Sequence, residues 1–380
     1  MTEASTSRKN IPLLDLKAQH RHIRDEVLNA IASVVDSQHF ILGEQVTRLE
    51  AEIATYCSVK HAIGCASGSD AVLLALMAAG VGRGDKVLTT PYTFFATVGA
   101  ISRLGATPVF VDVEEETFNI DPRKASEAMR TVDGIRVVIP VHLFGGCADM
   151  ELIEAAAKEK NIWVVEDAAQ SIGSEWMGRR AGSVGQIGCL SFFPSKNLGA
   201  FGDAGMLTTN DDALDKKLRS LRIHGAPKKY YHDQVGVNSR LDALQAGVLS
   251  VKLRYLDGWS AARRRNADLY REFIKELAVP VRAPEEKIYQ TRHIYNQFAI
   301  VAERRDELQA YLKEQGIATE VYYPLPMHLQ KCFADLGHRQ GDFPISERLA
   351  QTSLALPIYP ELEASDIFEV CKAMRDFFAK

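Results

Sequence analysis

Three short stretches of the sequence combine residue types that could do chemistry. The first, Cys65-Ala66-Ser67-Gly68-Ser69-Asp70, runs directly into the apolar segment AVLLALMAAG. A Gly-Ser step that opens a helix aims free N–H groups, a hydroxyl and the positive end of the helix dipole at one point, which suits a phosphate. Ser-Gly-Ser-Asp is also an ordinary N-cap, and taken alone it is more often only that. The second stretch, Val164-Val165-Glu166-Asp167-Ala168-Ala169-Gln170, closes an apolar run with two carboxylates. Alternation along a strand sends them to opposite faces. Each then needs a cation or a hydrogen-bond donor to meet it. They serve either as caps for the next segment or, for Asp167, as the partner of a protonated ring nitrogen. The third stretch, SFFPSKNLGAFGDAG (191–205), sets Lys196 where an apolar run gives way to a glycine-rich turn. Lysines belong on solvated surfaces. One held near a phosphate site and a buried carboxylate can lose its proton and attack a carbonyl.

Singly, each feature has a structural reading. Taken in order, a phosphate cup, a buried carboxylate and a lysine match the phosphate, the pyridine nitrogen and the aldehyde of one molecule, pyridoxal 5′-phosphate (PLP).

The elements that must position these residues alternate along the chain. Apolar or β-branched runs at Ala62–Ala66, Lys86–Thr90, Pro108–Val113, Val137–His142, Ile162–Glu166, Ile187–Phe193 and Met206–Thr209 read as strands. Helical patterns at Asp70–Ala79, Phe95–Leu104, Arg123–Met129 and Met150–Glu159 separate many of them. This alternation predicts an α/β fold with a mostly parallel sheet covered on both faces. A long charged helix is expected over Gln245–Glu276, with Arg263, Arg264 and Arg265 on a solvated face. A strand over His293–Ala302 and a helix over Arg305–Gly316 then predict a smaller α+β domain. The expected division is a flexible leader at 1–10, a large domain at 11–245, and a connecting helix with the small domain at 246–380. Ligands of open sheets bind at the carboxyl ends of strands, where the three stretches stand.

Composition excludes several other classes. The chain has 380 residues, 46% of them hydrophobic and 25% charged, with a formal net charge of −4. That balance gives no electrostatic reason to expect nucleic acid or a membrane surface as partner. Six cysteines without CxxC spacing read as reduced thiols of a cytoplasmic protein, with neither a disulfide framework nor a metal site. No apolar run is long enough to span a bilayer, and MTEASTSRKN has no apolar signal region. His20, His22, Trp163, Trp176 and Trp259 are expected only in packing and on the surface.

The motifs ASGSDA, PYTFFAT, VHLFG, VEDAAQ, SFFPSKNLGAFGDAG and GVNSRLDALQA together resemble one known family. It is the sugar-nucleotide aminotransferase branch of the fold-type I PLP enzymes, which make amino sugars for antibiotics and surface polysaccharides. The likeness runs from Ile11-Pro12-Leu13-Leu14-Asp15-Leu16 to Leu356-Pro357-Ile358-Tyr359-Pro360. It implies a seven-stranded, mostly parallel large domain and a homodimer with shared active sites. It implies that Lys196 carries PLP as a Schiff base and shuttles the proton, and that Asp167 pairs with the pyridinium nitrogen. By the same resemblance Gln170 touches the O3′ side, Gly68, Ser69 and Ser191 hold the phosphate, and Phe94 stacks on the ring, while Phe95 packs in the core. Asn238 would reach the phosphate in the neighbouring subunit. The family's dehydratase branch has histidine in place of the lysine, and Lys196 argues against it.

The resemblance further implies L-glutamate as amino donor and a nucleotide-linked keto sugar as acceptor, with the residues around Lys196 favouring C3 over C4. Lys228, Tyr230 and Tyr231 read either as diphosphate, base or sugar contacts or as a solvated loop. Tyr323 and His328 in YYPLPMHLQ are candidates to face the sugar. Amination of a free cyclitol ketone shares the cofactor chemistry without a diphosphate site. A catalytically inactive regulatory homologue could lose the lysine, the aspartate or the cup; all three are present.

Overall fold

The computed structural model describes residues 10–380, so all but the last residue of the expected leader lies outside the described residues. Helices α1 (Leu16–Ser37) and α2 (Glu44–Cys57) precede strand β1 (His61–Cys65). Then α3 (Gly68–Ala78), β2 (Lys86–Thr89), α4 (Phe95–Arg103), β3 (Thr107–Phe110), α5 (Pro122–Thr131), β4 (Ile135–Val138), α6 (Glu151–Lys160) and β5 (Trp163–Asp167) alternate. A short hairpin, β6 (Glu175–Trp176) with β7 (Arg179–Arg180), leads to β8 (Ile187–Ser191), β9 (Gly205–Thr209) and α7 (Asp212–Leu221). Helix starts follow the side chains available. Ser67, Asp121 and Asp211 accept first-turn N–H groups of α3, α5 and α7, and Pro122 supplies a pre-set φ at the first position of α5.

All seven expected runs form strands of one sheet, ordered β1-β9-β8-β5-β4-β2-β3. Strands β3, β2, β4, β5 and β8 run parallel; β9 is antiparallel to both β8 and β1. The run expected over Val137–His142 leaves the ladder after Val138, because Pro140 has no N–H to give. Its continuation touches β5 again at Val141 and Asp167. One core lies on each face of the sheet, with Leu88, Val138 and Leu190 in one and Val87, Val137 and Cys189 in the other.

The helix expected over Gln245–Glu276 is two helices, α8 (Ala243–Leu253) and α9 (Leu256–Glu276). The break has a packing cause. Ala246 and Leu249 of α8 belong to the large core, whereas Ala267, Tyr270 and Ile274 of α9 belong to a separate C-terminal one. The arginine triplet also departs from expectation at Arg263. That side chain is buried and donates to the carbonyls of Tyr295 (3.1 Å) and Ile358 (2.8 Å).

The smaller body holds β10 (Phe298–Val301), α10 (Arg305–Glu314), α11 (Pro344–Thr352), β11 (Ser353–Leu356) and α12 (Ala364–Phe378), with β10 antiparallel to β11. The strand expected over His293–Ala302 forms only from Phe298. Before it, Tyr295 takes a left-handed φ of 46° and Arg263 claims the nearby carbonyls. Residues 11–14, expected with the large domain, join the small one. Ile11 N–H donates to Gly316 O (2.9 Å), Ala318 N–H to Ile11 O (3.0 Å), and Leu14 packs on the same core. Among the described residues no helix is long and apolar enough to cross a membrane, and no cluster of His, Cys, Asp and Glu is arranged to hold a metal. Five cysteines are buried as free thiols; Cys332 is exposed.

Candidate active site

The cup forms where α3 meets the end of β8. Ser67 Oγ accepts from Asp70 N–H (3.1 Å) and so caps the helix, leaving the N–H groups of Gly68 and Ser69 without intrahelical partners. Gly68 is required by contact. A Cβ there would stand 2.5 Å from Ser191 Cβ and 2.9 Å from Ser191 Oγ. That approach places the Ser191 hydroxyl beside the helix N-terminus. Ser239 braces the far side, its Oγ donating to Asp70 Oδ2 (2.7 Å) and accepting from Ala66 N–H (3.1 Å).

At the end of β5 the two carboxylates do divide between faces. Glu166 is fully buried. Its Oε1 accepts from the N–H groups of Val184 and Gly185, both at 2.7 Å; its Oε2 accepts from Gly182 N–H (2.8 Å) and His142 Nε2 (2.9 Å). His142 Nδ1 accepts from Ala148 N–H (3.0 Å), which leaves the ring proton on Nε2, facing Glu166. Burial alone would raise the Glu166 carboxyl; the hydrogen bond from His142 and those from the Gly185 and Gly182 N–H groups outweigh it and hold it below the usual range. Glu166 is architecture. It ties the β6–β8 connection to the sheet.

Asp167 faces the other way. Its Oδ2 accepts from Thr97 Oγ1 (2.7 Å), itself bonded to Thr93 Oγ1 (2.9 Å), and Oδ1 accepts from Ala169 N–H (3.2 Å). Its backbone is pinned between Pro140 O and His142 N–H. Thr97 went unread because its only sequence signal is a second threonine, Thr93, just before the helix, with apolar residues around both.

Lys196 follows β8 inside a tight ring. Lys196 N–H donates to Phe193 O and Ala200 N–H to Phe192 O, both at 2.8 Å. Gly199 lets the ring close, since a Cβ there would lie 2.2 Å from Pro194 O. Desolvation brings the Lys196 amine down to a pKa of about 8, while the charge of Asp167 pulls the other way. An amine, a carboxylate and a cup of unpaired N–H groups thus share one edge of the sheet.

Gln170 and Tyr323, 153 positions apart, join this group. Gln170 Oε1 accepts from Phe144 N–H (2.8 Å) and its Nε2 donates to Tyr323 Oη (3.0 Å). The Phe94 ring lies 6.0 Å from that of Tyr323 and is 55% exposed, free to stack on a ligand. Phe95, expected in the core, is instead exposed and stacks on Phe333 at 5.6 Å. The ring lies one turn along its own helix against Gly99, where a Cβ would come within 2.9 Å of it.

Three other expectations fare differently. His328 is buried and its Nε2 meets Glu347 Oε1 at 3.0 Å, so it braces the small domain and does not face a sugar. Lys228, Tyr230 and Tyr231 lie on an exposed turn, where Lys228 Nζ sits 5.1 Å from the Tyr231 ring and Tyr230 is 82% exposed. Within one chain they meet none of the residues above. Asn238 is exposed, bridged to Ile223 through its backbone, while the next residue, Ser239, turns inward beneath the cup.

The pattern of the DegT/DnrJ/EryC1/StrS aminotransferase family matches residues 21–375. The chain belongs to that family. A pleiotropic regulatory protein of Geobacillus stearothermophilus is 48% identical over 97% of this chain and 99% of its own. UDP-N-acetyl-3-dehydro-α-D-glucosamine 3-aminotransferase of Acidithiobacillus ferrooxidans is 43% identical over 97% of this chain and 98% of its own. Among solved structures, Streptomyces venezuelae DesV in complex with a ketimine intermediate superposes with a TM-score of 0.94 at 39% identity, over 98% of this chain and 99% of that one. The fold is therefore that of the fold-type I sugar aminotransferases, and the sequence resemblance was to the right family.

Proposed function

We propose that this protein is a PLP-dependent aminotransferase that moves the amino group of L-glutamate onto the C3 carbonyl of a nucleotide-linked keto sugar. The observation that carries the reading is the joining of Lys196, Asp167 and the Gly68–Ser191 cup at one sheet edge. The residues fit the cofactor: the cup leaves room only where a side chain at Gly68 is missing, and the Asp167 carboxylate and Lys196 amine are close enough to interact. The C3 position is supported by the 43%-identical relative named for that reaction.

Bound there, PLP would supply a carbonyl that condenses with amines and a ring that accepts the electron pair left by a departing proton. The protein does the rest. Lys196 Nζ would hold the cofactor, take the α-proton of glutamate and return it one position away. In the second half it would deliver a proton to the sugar carbon that becomes the amine carbon. Asp167, oriented by Thr97, would keep a proton on the ring nitrogen. Ser191 Oγ and the N–H groups of Gly68 and Ser69 would hold the phosphate dianion, and the Gln170–Tyr323 pair would border the O3′ side. Asn238, exposed on its own chain, would donate to the phosphate of a second subunit, making a homodimer with shared sites. Lys228, Tyr230 and Tyr231 would then act on the partner's nucleotide.

A regulatory reading is favoured only by the names of two relatives, a pleiotropic regulatory protein and a sensory transduction protein, and a regulator has no use for the intact Lys196–Asp167 pair. The test is mass analysis of products from glutamate with a panel of acceptors. Amine from a 3-keto sugar nucleotide is the expected result. Amine only from 4-keto sugar nucleotides or free cyclitol ketones would overturn the substrate assignment, and none from any acceptor would overturn the activity.

A further inference from the structure

Against the loop that carries Lys196, a cavity of about 270 Å³ lies between α1, α8 and that loop. Leu16, Ile23, Pro194, Ala200 and Phe201 make its wall largely apolar, and Gln19, His20 and Lys252 bring the polar atoms. Lys252 is the anomaly. It is only 4% exposed, and it forms no ion pair among the described residues. Its sole hydrogen bond there is donated to Gly199 O, and its charge otherwise meets the Phe201 ring at 5.7 Å. Burial, with no opposing charge, brings its pKa down to about 8.

An ammonium carries three donors, so two remain for something in the cavity. His20 adds a second unmet group: its Nδ1 is buried without a partner, and its ring packs edge-on against Phe201 at 5.5 Å. A buried cation without a counter-charge is costly, and the cost falls when an anion joins it. The shape limits which anion. Two free ammonium N–H groups and one imidazole nitrogen suit the two oxygens of a carboxylate and are too few for a phosphate dianion. The apolar wall asks for an apolar body behind that head. A cavity of about 150 Å³ accepts benzene, so this one has room for an aromatic or branched aliphatic carboxylate.

We infer that this cavity is a binding site for a small apolar carboxylate, seated on Lys252 and His20 and built partly from the loop that carries Lys196. The site is separate from the cup and the Asp167 carboxylate. Pro194, Ala200 and, through Lys252, Gly199 tie it to the catalytic lysine, so occupancy tightens the Lys196 ring. The inference does not depend on the substrate proposed above.

The test uses the full-length protein as isolated, with benzoate as probe and benzamide as its neutral isostere, followed by calorimetry and amide hydrogen exchange. Benzoate is expected to bind once per chain, at least about tenfold tighter than benzamide, since a charge-assisted bond is lost with the amide. Exchange within residues 192–201 is expected to slow. Lys252→Met removes the cation and should abolish this binding. Leu16→Trp fills the mouth without altering charge, keeps the ammonium, and should abolish it too, which settles the matter if the Lys252 variant does not fold. Equal affinity for the two probes, benzoate binding that survives Leu16→Trp, or no saturable binding to the wild type would each overturn the inference.

Discussion

The clearest quantitative consequence of the structure concerns the carboxylate that does no chemistry. In Glu166→Gln one amide oxygen can still accept from Val184 and Gly185, but the amide NH2 then points at two donors, Gly182 N–H and His142 Nε2–H. His142 cannot relieve the conflict by moving its proton, because Nδ1 already accepts from Ala148 N–H. Two hydrogen bonds to a buried charge are lost, at about 1.5–3 kcal/mol each, so the variant should be less stable by about 3–6 kcal/mol at pH 7. That is a large share of a typical total of about 5–15 kcal/mol. The pH dependence has a definite sign. The folded carboxyl titrates below its unfolded value, so the stability it contributes is present above the unfolded pKa of about 4.3 and is lost as pH falls through the folded pKa. Urea unfolding of both proteins from about pH 3 to neutrality gives the difference curve, in which other carboxylates cancel. The gap should be widest near neutrality and narrow towards acid. A variant within about 1 kcal/mol of wild type at pH 7, with an unchanged urea slope, would refute the assignment of Glu166 to architecture.

The neighbouring position should respond in the opposite manner: Asp167→Asn keeps the acceptor for Thr97 and should unfold within about 1.5 kcal/mol of wild type, yet turn over glutamate slower by orders of magnitude, as stopped-flow absorbance would show. Borohydride reduction followed by peptide mapping should place the cofactor on Lys196, and Lys196→Ala should be inactive whether or not cofactor still binds. Because the amine titrates near pH 8, the rate at which added PLP attaches to apoprotein should rise about tenfold per pH unit below that point and level off above it; a flat profile from pH 6 to 9 would contradict the buried-lysine picture. Inactive Lys196→Ala and Asn238→Asp chains, mixed and allowed to exchange, should recover about a quarter of wild-type activity at random pairing if Asn238 acts across the interface, and none if it acts within its own chain.

The site was legible where chemistry and local structure coincide. Ser-Gly-Ser-Asp is both a helix cap and a phosphate cup, because Ser67 does the capping and leaves Gly68 and Ser69 free. Alternation along β5 correctly separated Glu166 from Asp167, although it could not say which donors meet each. Long-range partners left little trace. Tyr323 reaches Gln170 across 153 positions, and Thr97 reaches Asp167 across 70. His328 and Arg263 misled for a common reason: residue type suggests exposure or function, and burial on a partner such as Glu347 or a set of carbonyls is decided by tertiary packing. The break between α8 and α9 was hidden likewise, since both halves keep helical periodicity and only the change of core forces the turn.

What brings three distant motifs together is the register of the antiparallel strand. Gly205, the first residue of β9, lies opposite Cys65 at the end of β1 and opposite Ser191 at the end of β8. One row across the sheet therefore ends the strand that feeds the cup, and also ends the strand that supplies its hydroxyl. Two positions back along β8, Cys189 lies opposite Asp167 at the end of β5. With side chains alternating along each strand, Ser191 and Cys189 share a face, so the register fixes hydroxyl and carboxylate on the same side, two positions apart along the strands. The chain that must return from β8 to β9 is then the short loop 192–204, and Lys196 sits in it. A slip of one residue between β8 and β9 would move Gly205 off the row, close the gap beside Gly68 and turn Ser191 to the opposite face. The tight contact at Gly68 is thus a consequence of strand pairing, and the lysine loop needs no reach of its own because the sheet has already carried it to the cup.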